Sequence, residues 1–447
     1  MNIVIAGDGE VGLHLAKLLV DEYHNITFIY PNEDILNSVT SEADFLPVVG
    51  SSISIDILEE ANVRKADLLI AVLHDEAINL LTAILGKKLG AKRTIARISN
   101  PEFMNPRNLA LLEEKGVDVL VNPEQLAANE VVQLLKQTAA TEVIEFSGGK
   151  LQLFLIKLDQ YAPVVNKTLN QIAREFPNIE FRAVAIHRNG KTIIPIGDDY
   201  FRENDLAYVI TKPGGIDLLF ELGGKQNFEI NDIMVIGGGR IGRMTASSLE
   251  STMGIKLFDW DTKRANALTN ELTETLIING DATDIDLLEE EGIREMDAFI
   301  AVTNNTETNI MTCLHARSVG VKKTIALVEN IEYIDIAQNI GIDTIINKKL
   351  TTASIINLHT MDAKVTNVKC LSGINADVIE LVAMPRSTVT KKPLKKLGVP
   401  AGSIIGGIIR GEESFIAVGN FQIEEGDKAV VFALPEAIHK VNKLFKH

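Results

Sequence analysis

Two cysteines, Cys313 and Cys370, are all that 447 residues supply. So few thiols exclude a disulfide framework and a thiolate zinc site, and they fit a reducing compartment. Long hydrophobic runs are missing too. No stretch of 18 apolar residues occurs, so nothing in the sequence reads as a membrane-spanning helix. From Met1 the chain runs straight into "NIVIAG", without a basic segment or a small-residue cleavage site, and no signal peptide is expected. Positive charge is in deficit, with a formal net charge of −16. An acidic chain repels phosphate backbones and anionic headgroups. Nucleic acid and direct lipid insertion are therefore disfavoured, while docking onto a membrane protein stays open. The histidines His14, His24, His74, His187, His315, His359, His439 and His447 are scattered without metal-ligand spacing. Neither Gly-x-Ser-x-Gly nor Cys-x-x-Cys is present.

What the chain does have, it has twice. Gly237 lies 230 residues after Gly7, and the same offset relates Gly50 to Gly280, Ala71 to Ala301 and Gly90 to Gly320. "LGAKRTIARI" (89–98) lies over "VGVKKTIALV" (319–328) without a gap. Beyond that the offset falls to 225, as in Gly116-Val117-Asp118 over Gly341-Ile342-Asp343. A unit this long is no solenoid repeat. It reads as the tandem duplication of a two-part module, with boundaries at 1–135, 141–225, 229–360 and 364–447. The segments 137–142 and 223–227 read as linkers.

The first part of each copy alternates strand and helix. In copy one "IVIAG" leads to a helix over 11–21. Then come "ITFIY", a helix near 34–42, "FLPVVG", "ADLLIAVL", a helix over 76–89, "RTIARI" and "VDVLVNP". Continuous apolar strands between amphipathic helices predict a parallel sheet covered on both faces, hence a doubly wound, Rossmann-like α/β fold. The second part is β-rich with one short helix over 170–175 and turns at Asn189-Gly190 and Gly197-Asp198, and it predicts a small α+β domain.

Both copies open on Gly-x-Gly-x-x-Gly between a strand and a helix: "GDGEVG" (7–12) and "GGGRIG" (237–242). The first glycine permits the tight bend, the second lets backbone approach a diphosphate, and the third lets helix pack on strand. The helix N-terminus then offers free N–H groups and a positive partial charge to phosphate. The two turns differ in sign, since copy one adds Asp8 and Glu10 and copy two adds Arg240. They differ at the ribose position as well. Copy two carries Asp259, 22 residues past Gly237, whereas copy one has Tyr30. After the third strand copy two reads Gly280-Asp281-Ala282-Thr283, able to offer an acceptor to an adenine amine, and copy one reads Gly50-Ser51-Ser52. Against this trend, copy one keeps Arg97 after its fifth strand, where copy two has Leu327; the acid, the turn charges and the third-strand loop outweigh it. These differences predict tighter nucleotide binding by copy two.

A dehydrogenase would need a general acid or base poised in a substrate domain. The β-rich parts offer only His187 and His439, at positions that do not correspond. His74, at the end of a strand, reads as a pocket residue rather than a catalyst. Two nucleotide pockets without a reaction centre predict a sensor and no enzyme. An NAD-dependent oxidoreductase and an assembly scaffold with vestigial pockets are the alternatives.

The order of nucleotide domain then small domain, repeated once, resembles the peripheral regulatory subunits of Trk-type potassium uptake systems, the TrkA family. These are built of RCK (KTN) domains and TrkA-C domains. The resemblance rests on "GDGEVG", "GGGRIG", "GDATD" (280–284), "AVTNNTETNI" (301–310), "IARI", "AGSIIGGIIRGEE" and "IEEGDKAVVF". It implies a cytoplasmic protein, peripheral on the inner face of the membrane and docked on a membrane potassium-translocating subunit. It implies a homo-oligomeric ring and NAD(H) or the adenine nucleotides ADP and ATP as regulatory ligands. The pocket residues it implies in copy one are Gly7, Asp8, Gly9, Glu10, Val11, Gly12, Tyr30, Ser51, Leu73, His74, Arg97 and Ile98. In copy two they are Gly237, Gly238, Gly239, Arg240, Ile241, Gly242, Asp259, Asp281, Ala282, Thr303 and Asn304. No catalytic or metal-binding residue is implied.

Overall fold

The computed structural model describes residues 1–21, 24–31, 45–136, 140, 142–176, 180–189, 191–225, 228–360, 365–371, 374 and 376–446. The helix expected near 34–42, Gly190, most of the expected linker 137–142 and the last two residues of the expected linker 223–227 lie outside them. In copy one β1 (Asn2–Ala6), β2 (Asn25–Tyr30), β3 (Leu46–Val49), β4 (Leu68–Ala71), β5 (Arg93–Arg97) and β6 (Val119–Val121) form a parallel sheet in the order β3-β2-β1-β4-β5-β6. Ile3, Val4, Ile5 and Ala6 are buried on both faces of the sheet, as an unbroken apolar strand demands. The helices are α1 (Glu10–Asp21), α2 (Ile55–Glu60), α3 (Glu76–Leu89), α4 (Pro106–Lys115) and α5 (Pro123–Lys136). Asp75 caps α3 by accepting from the Ala77 and Ile78 amides, and Gly90 ends it at φ 127°.

An antiparallel sheet follows: β7 (Glu142–Phe146), β8 (Leu151–Lys157), β9 (Phe181–Arg188), β10 (Lys191–Ile193) and β11 (Leu206–Thr211), in the order β10-β9-β11-β8-β7. It carries α6 (Leu169–Glu175) and α7 (Ile216–Leu222).

Copy two repeats both topologies. Its parallel strands β12 (Asp232–Ile236), β13 (Gly254–Asp259), β14 (Leu276–Asn279), β15 (Ala298–Ala301), β16 (Lys323–Leu327) and β17 (Thr344–Ile346) run β14-β13-β12-β15-β16-β17. Here the helices are α8 (Arg240–Leu249), α9 (Thr262–Glu271), α10 (Ile285–Glu290), α11 (Thr306–Ser318), α12 (Glu332–Ile340) and α13 (Lys348–Leu358). The antiparallel sheet is β18 (Val365–Cys370), β19 (Asp377–Val382), β20 (Ser403–Arg410), β21 (Glu413–Ile416) and β22 (Lys428–Ala433), with α14 (Leu394–Leu397) and α15 (Pro435–Phe445). Matching ion pairs pin the two antiparallel sheets. Arg188 binds the buried Asp205 at 2.7 and 2.6 Å, and Arg410 binds the buried Asp427 at 2.8 and 2.7 Å. The fold is the expected tandem duplication of a doubly wound α/β domain and an α+β domain.

The chain divides into two compact units, and their composition is not what the offset alone implies. One comprises Met1–Leu126 with Lys348–Asp362, the other Ala127–Asn347 with Ala363–His447. In the first, α13 packs against α1, although it follows the last strand of copy two. In the second, Ala127, Ala128, Val131, Leu134 and Leu135 of α5 join the core of Ile233, Val235, Ile241 and Ala246. The helix that closes each parallel sheet is thus exchanged between copies. The second unit also holds both antiparallel sheets, whose Tyr208, Ile210, Ile409, Val430 and Phe432 share one apolar cluster.

Candidate functional site

The carboxyl edge of each parallel sheet gathers the residues singled out in the sequence. In copy two the turn after β12 is shaped by close approach. Gly237 takes φ 103°, and a Cβ there would lie 3.0 Å from the Val302 oxygen. A Cβ on Gly242 would collide with the Gly237 carbonyl. Gly239 is different, since nothing stands within 4 Å of where its Cβ would be. That glycine is the N-cap of α8, and no side chain caps the helix, so the first-turn amides face the same open space. Arg240 is exposed beside them and forms no hydrogen bond or ion pair among the described residues.

Asp259, at the end of β13, is 3% exposed. Its carboxylate accepts from the Gly238 amide at 2.9 Å, the Asp261 amide at 2.8 Å and the Arg264 guanidinium at 2.9 Å. A Cβ on Gly238 would lie 2.9 Å from that carboxylate, so the acid and the turn are fitted to each other. Asp281 is exposed and accepts from the Thr283 amide and hydroxyl, while Ala282 is buried. Asn304 is exposed and Ile241 is in the core. Thr303 donates from its amide and its hydroxyl to Asn309, at 3.0 and 2.6 Å.

Copy one presents the same edge with a different surface. Asp8 does not face an open cradle. It accepts from the His74 amide at 3.0 Å and meets the His74 Nδ1 at 2.7 Å. This places the imidazole over the turn, where its Cε1 lies 2.8 Å from a Cβ built on Gly9. Gly7 and Gly12 pack on each other and on Phe28. Glu10 opens α1, with Val11 half-buried behind it. Tyr30, in the position of Asp259, is 2% exposed and stacks at 5.2 Å on Phe28. Burial and then the Asp8 charge push its phenol above the ordinary range. Ser51 is exposed, Leu73 and Ile98 are buried, and Arg97 is turned toward Glu124 at 3.6 Å.

Three positions carry the geometry without having been read from the sequence. Asn79 on α3 accepts from the Leu73 amide and donates to the Leu73 and Arg97 carbonyls. Asn309 on α11 does the same with Thr303 and Leu327. Each asparagine fastens the loop after the fourth strand to the end of the fifth, and the shared 230-residue offset was the available signal. Arg264, which clamps Asp259, had no such signal because nothing in copy one corresponds to it.

As chemistry, copy two offers a backbone anion cradle, an adjacent guanidinium and a buried carboxylate on one edge. Among the described residues there is no group of three or more His, Cys, Asp or Glu side chains placed to hold a metal ion. No described helix is long and apolar enough to cross a membrane.

The TrkA-N domain model matches residues 3–123 and 233–348, and the TrkA-C domain model matches 153–223 and 378–446. The chain is 31% identical to the Trk system potassium uptake protein TrkA of Halomonas elongata, over all of this chain and 99% of that one. It is 33% identical to TrkA homolog 2 of Methanosarcina mazei, with all of both chains covered. It is also 33% identical to TrkA of Vibrio alginolyticus, over all of this chain and 99% of that one. Among solved structures the GsuK RCK domain superposes at TM-score 0.61 and 20% identity, over 99% of this chain and 94% of that one. The GsuK channel bound to NAD gives the same score and identity, over 99% and 78%. GsuK bound to ADP gives 0.51 at 17% identity, over 80% and 68%. With both domain types matched in both copies and relatives above 30% identity along its whole length, the chain belongs to the TrkA family of Trk system potassium uptake proteins.

Proposed function

We propose that this chain is the regulatory subunit of a Trk-type potassium uptake system and that copy two is its principal nucleotide sensor. The observation that carries the nucleotide reading is the open space at Gly239, with uncapped amides of α8 and the unengaged Arg240 on one side and Asp259 behind it. The occupants that fit are molecules with an adenosine diphosphate core, NAD(H), ADP or ATP, and GsuK has been solved with two of these.

In this reading the α8 amides and Arg240 hold the diphosphate, and Asp259 accepts from the ribose hydroxyls while keeping the Gly238 amide in place. Bound nucleotide supplies binding energy and no reaction. A ligand shifts a conformational equilibrium only through different affinity for its two states, and Arg240, outside the core, is the group best placed to feel that difference. The chain acts from the cytoplasmic face, as part of a ring docked on a membrane potassium-translocating subunit. Among the described residues no group at either turn is arranged as an acid, base or nucleophile, and the reading assigns no turnover.

Calorimetry of the full chain with NAD⁺, NADH, ADP and ATP tests this. Asp259→Ala and Arg240→Ala should each weaken the tightest ligand by on the order of ten- to a hundredfold, since a charge-assisted hydrogen bond contributes about 1.5–3 kcal/mol. Wild-type protein that binds none of the four would favour a scaffold with vestigial pockets. Hydride transfer to or from a hydroxy or amino acid would favour an oxidoreductase.

A further inference from the structure

Inside the second unit lies a cavity of about 430 Å³, at the end of the second parallel sheet opposite to its glycine turn. Lys323 opens β16 and lines it, whereas the nucleotide edge begins at Leu327, roughly 13 Å further along the strand. The volume is in the range of small-ligand sites.

The walls are cationic in a chain that is otherwise acidic. Lys157, Lys225, Arg317, Lys322 and Lys323 line the cavity, against Asp159, Glu203 and Asp343. Most of these charges have partners. Arg317 donates to Asp343 at 2.8 Å, Lys225 lies 3.7 Å from Asp159, and Lys322 lies 3.7 Å from Asp297 and over the Phe228 ring. Lys323, 2% exposed, donates to the Ala140 carbonyl. Lys157 is the exception. Half-buried at the end of β8, its ammonium forms no hydrogen bond or ion pair among the described residues. Burial, then the charges of Arg317 and Lys225, lower its pKa, and burial lowers that of Lys323 to about 8.

Lys157 pairs with Leu206 across the ladder, and the same ladder position in copy two is Val382, opposite Lys428. Each copy places one lysine at this ladder pair, but among the described residues only copy two gives it partners, with Lys428 2.9 Å from the Ser147 hydroxyl and 3.4 Å from Glu380. A lysine placed among like charges without the partners that the duplicate's lysine has destabilises the empty protein. An anion in the cavity would reverse the sign of that contribution.

We propose that this cavity binds a small phosphate-bearing anion through Lys157, with Lys225, Arg317 and Lys323 as its cationic walls. It is a second ligand site, apart from the glycine turns. α11 joins the two, since Asn309 near its start holds the nucleotide edge and Arg317 near its end lines the cavity.

Inorganic pyrophosphate, titrated by calorimetry into the full chain, is the probe. Wild type should bind it, and in an Arg240→Ala background, which weakens phosphate held at the turn, adding Lys157→Met should weaken binding about tenfold or more, as loss of a charged hydrogen bond implies. Lys157→Arg should retain binding. Arg240→Ala should retain it as well, which separates this site from phosphate held at the turn. Without ligand Lys157→Met should unfold at a higher temperature than wild type, because it relieves repulsion, and this also shows that it folds. Undiminished pyrophosphate binding when Lys157→Met is added to Arg240→Ala, loss of binding in Arg240→Ala alone, or no binding by wild type at millimolar concentration would each overturn the proposal.

Discussion

A side chain at position 239 would point into open space, and one at 242 would strike the Gly237 carbonyl. Two glycines of one motif therefore make opposite predictions. Gly239→Val should leave thermal stability within about 0.5 kcal/mol of wild type and abolish ADP binding, since its backbone, at φ −65°, suits any residue. Gly242→Ala should cost about 1–3 kcal/mol by overpacking. Thermal unfolding beside calorimetry checks both, and a Gly239→Val that binds normally would place the diphosphate elsewhere. The equivalent Gly9 is covered by His74, which Asp8 holds in place. Removing the ring alone would free an acid beside the cradle. The double change Asp8→Ser with His74→Ala should instead give copy one measurable ADP binding in an Arg240→Ala background. Continued silence would mean that Tyr30, not the covered turn, disables the first site.

At the scale of elements, the exchanged helices create a pH dependence. His14 on α1 is half-buried with its Nε2 out of solvent, and its pKa falls to about 4, through burial and then the charges of Lys349 and Lys17. His359, just past α13, falls to about 4 through burial and then Arg93. Both imidazoles are held neutral in the first unit, while the unfolded chain takes up protons near pH 6.5. A depressed histidine pKa gives stability that is complete above the unfolded value and is lost as pH falls from about 6.5 toward 4. Thermal unfolding between pH 7.5 and 5 should show that loss, and His14→Leu should flatten part of it. An unchanged slope would mean that His14 is solvated in both states. The exchange itself was not legible in the sequence. An amphipathic helix announces that it has an apolar face, and the pattern of 123–136 does so, but nothing local says which sheet that face meets. The parallel strands were legible because strands covered on both faces must be apolar throughout, as in Leu68–Ala71. β7 went unread because it begins within the segment 137–142 that looks like a linker, and β18 went unread as well.

For the whole molecule, duplication followed by divergence supplies two equivalent positions with unequal chemistry. The charge difference between Asp8 and Arg240 and the swap of Tyr30 for Asp259 could be read from aligned residues. That Asp8 spends its charge on His74 could not, because the two residues are 66 positions apart and copy two has no such pair to compare. If one cradle is closed and the other open, regulation should fail through one copy only. A strain lacking this protein should grow poorly at low potassium when a Trk-type transporter is its uptake route, and the wild-type gene should restore growth. Genes carrying Gly239→Val or Arg240→Ala should produce folded protein at normal levels and still fail to restore nucleotide-responsive potassium uptake. Gly9→Val, which disturbs a turn already covered by His74, should restore uptake wherever the protein accumulates. Rubidium uptake, measured with immunoblots for abundance, distinguishes these outcomes. Equal failure of the Gly9 and Gly239 variants at equal abundance would mean that both turns are in use, and that the Asp8–His74 contact opens when ligand arrives.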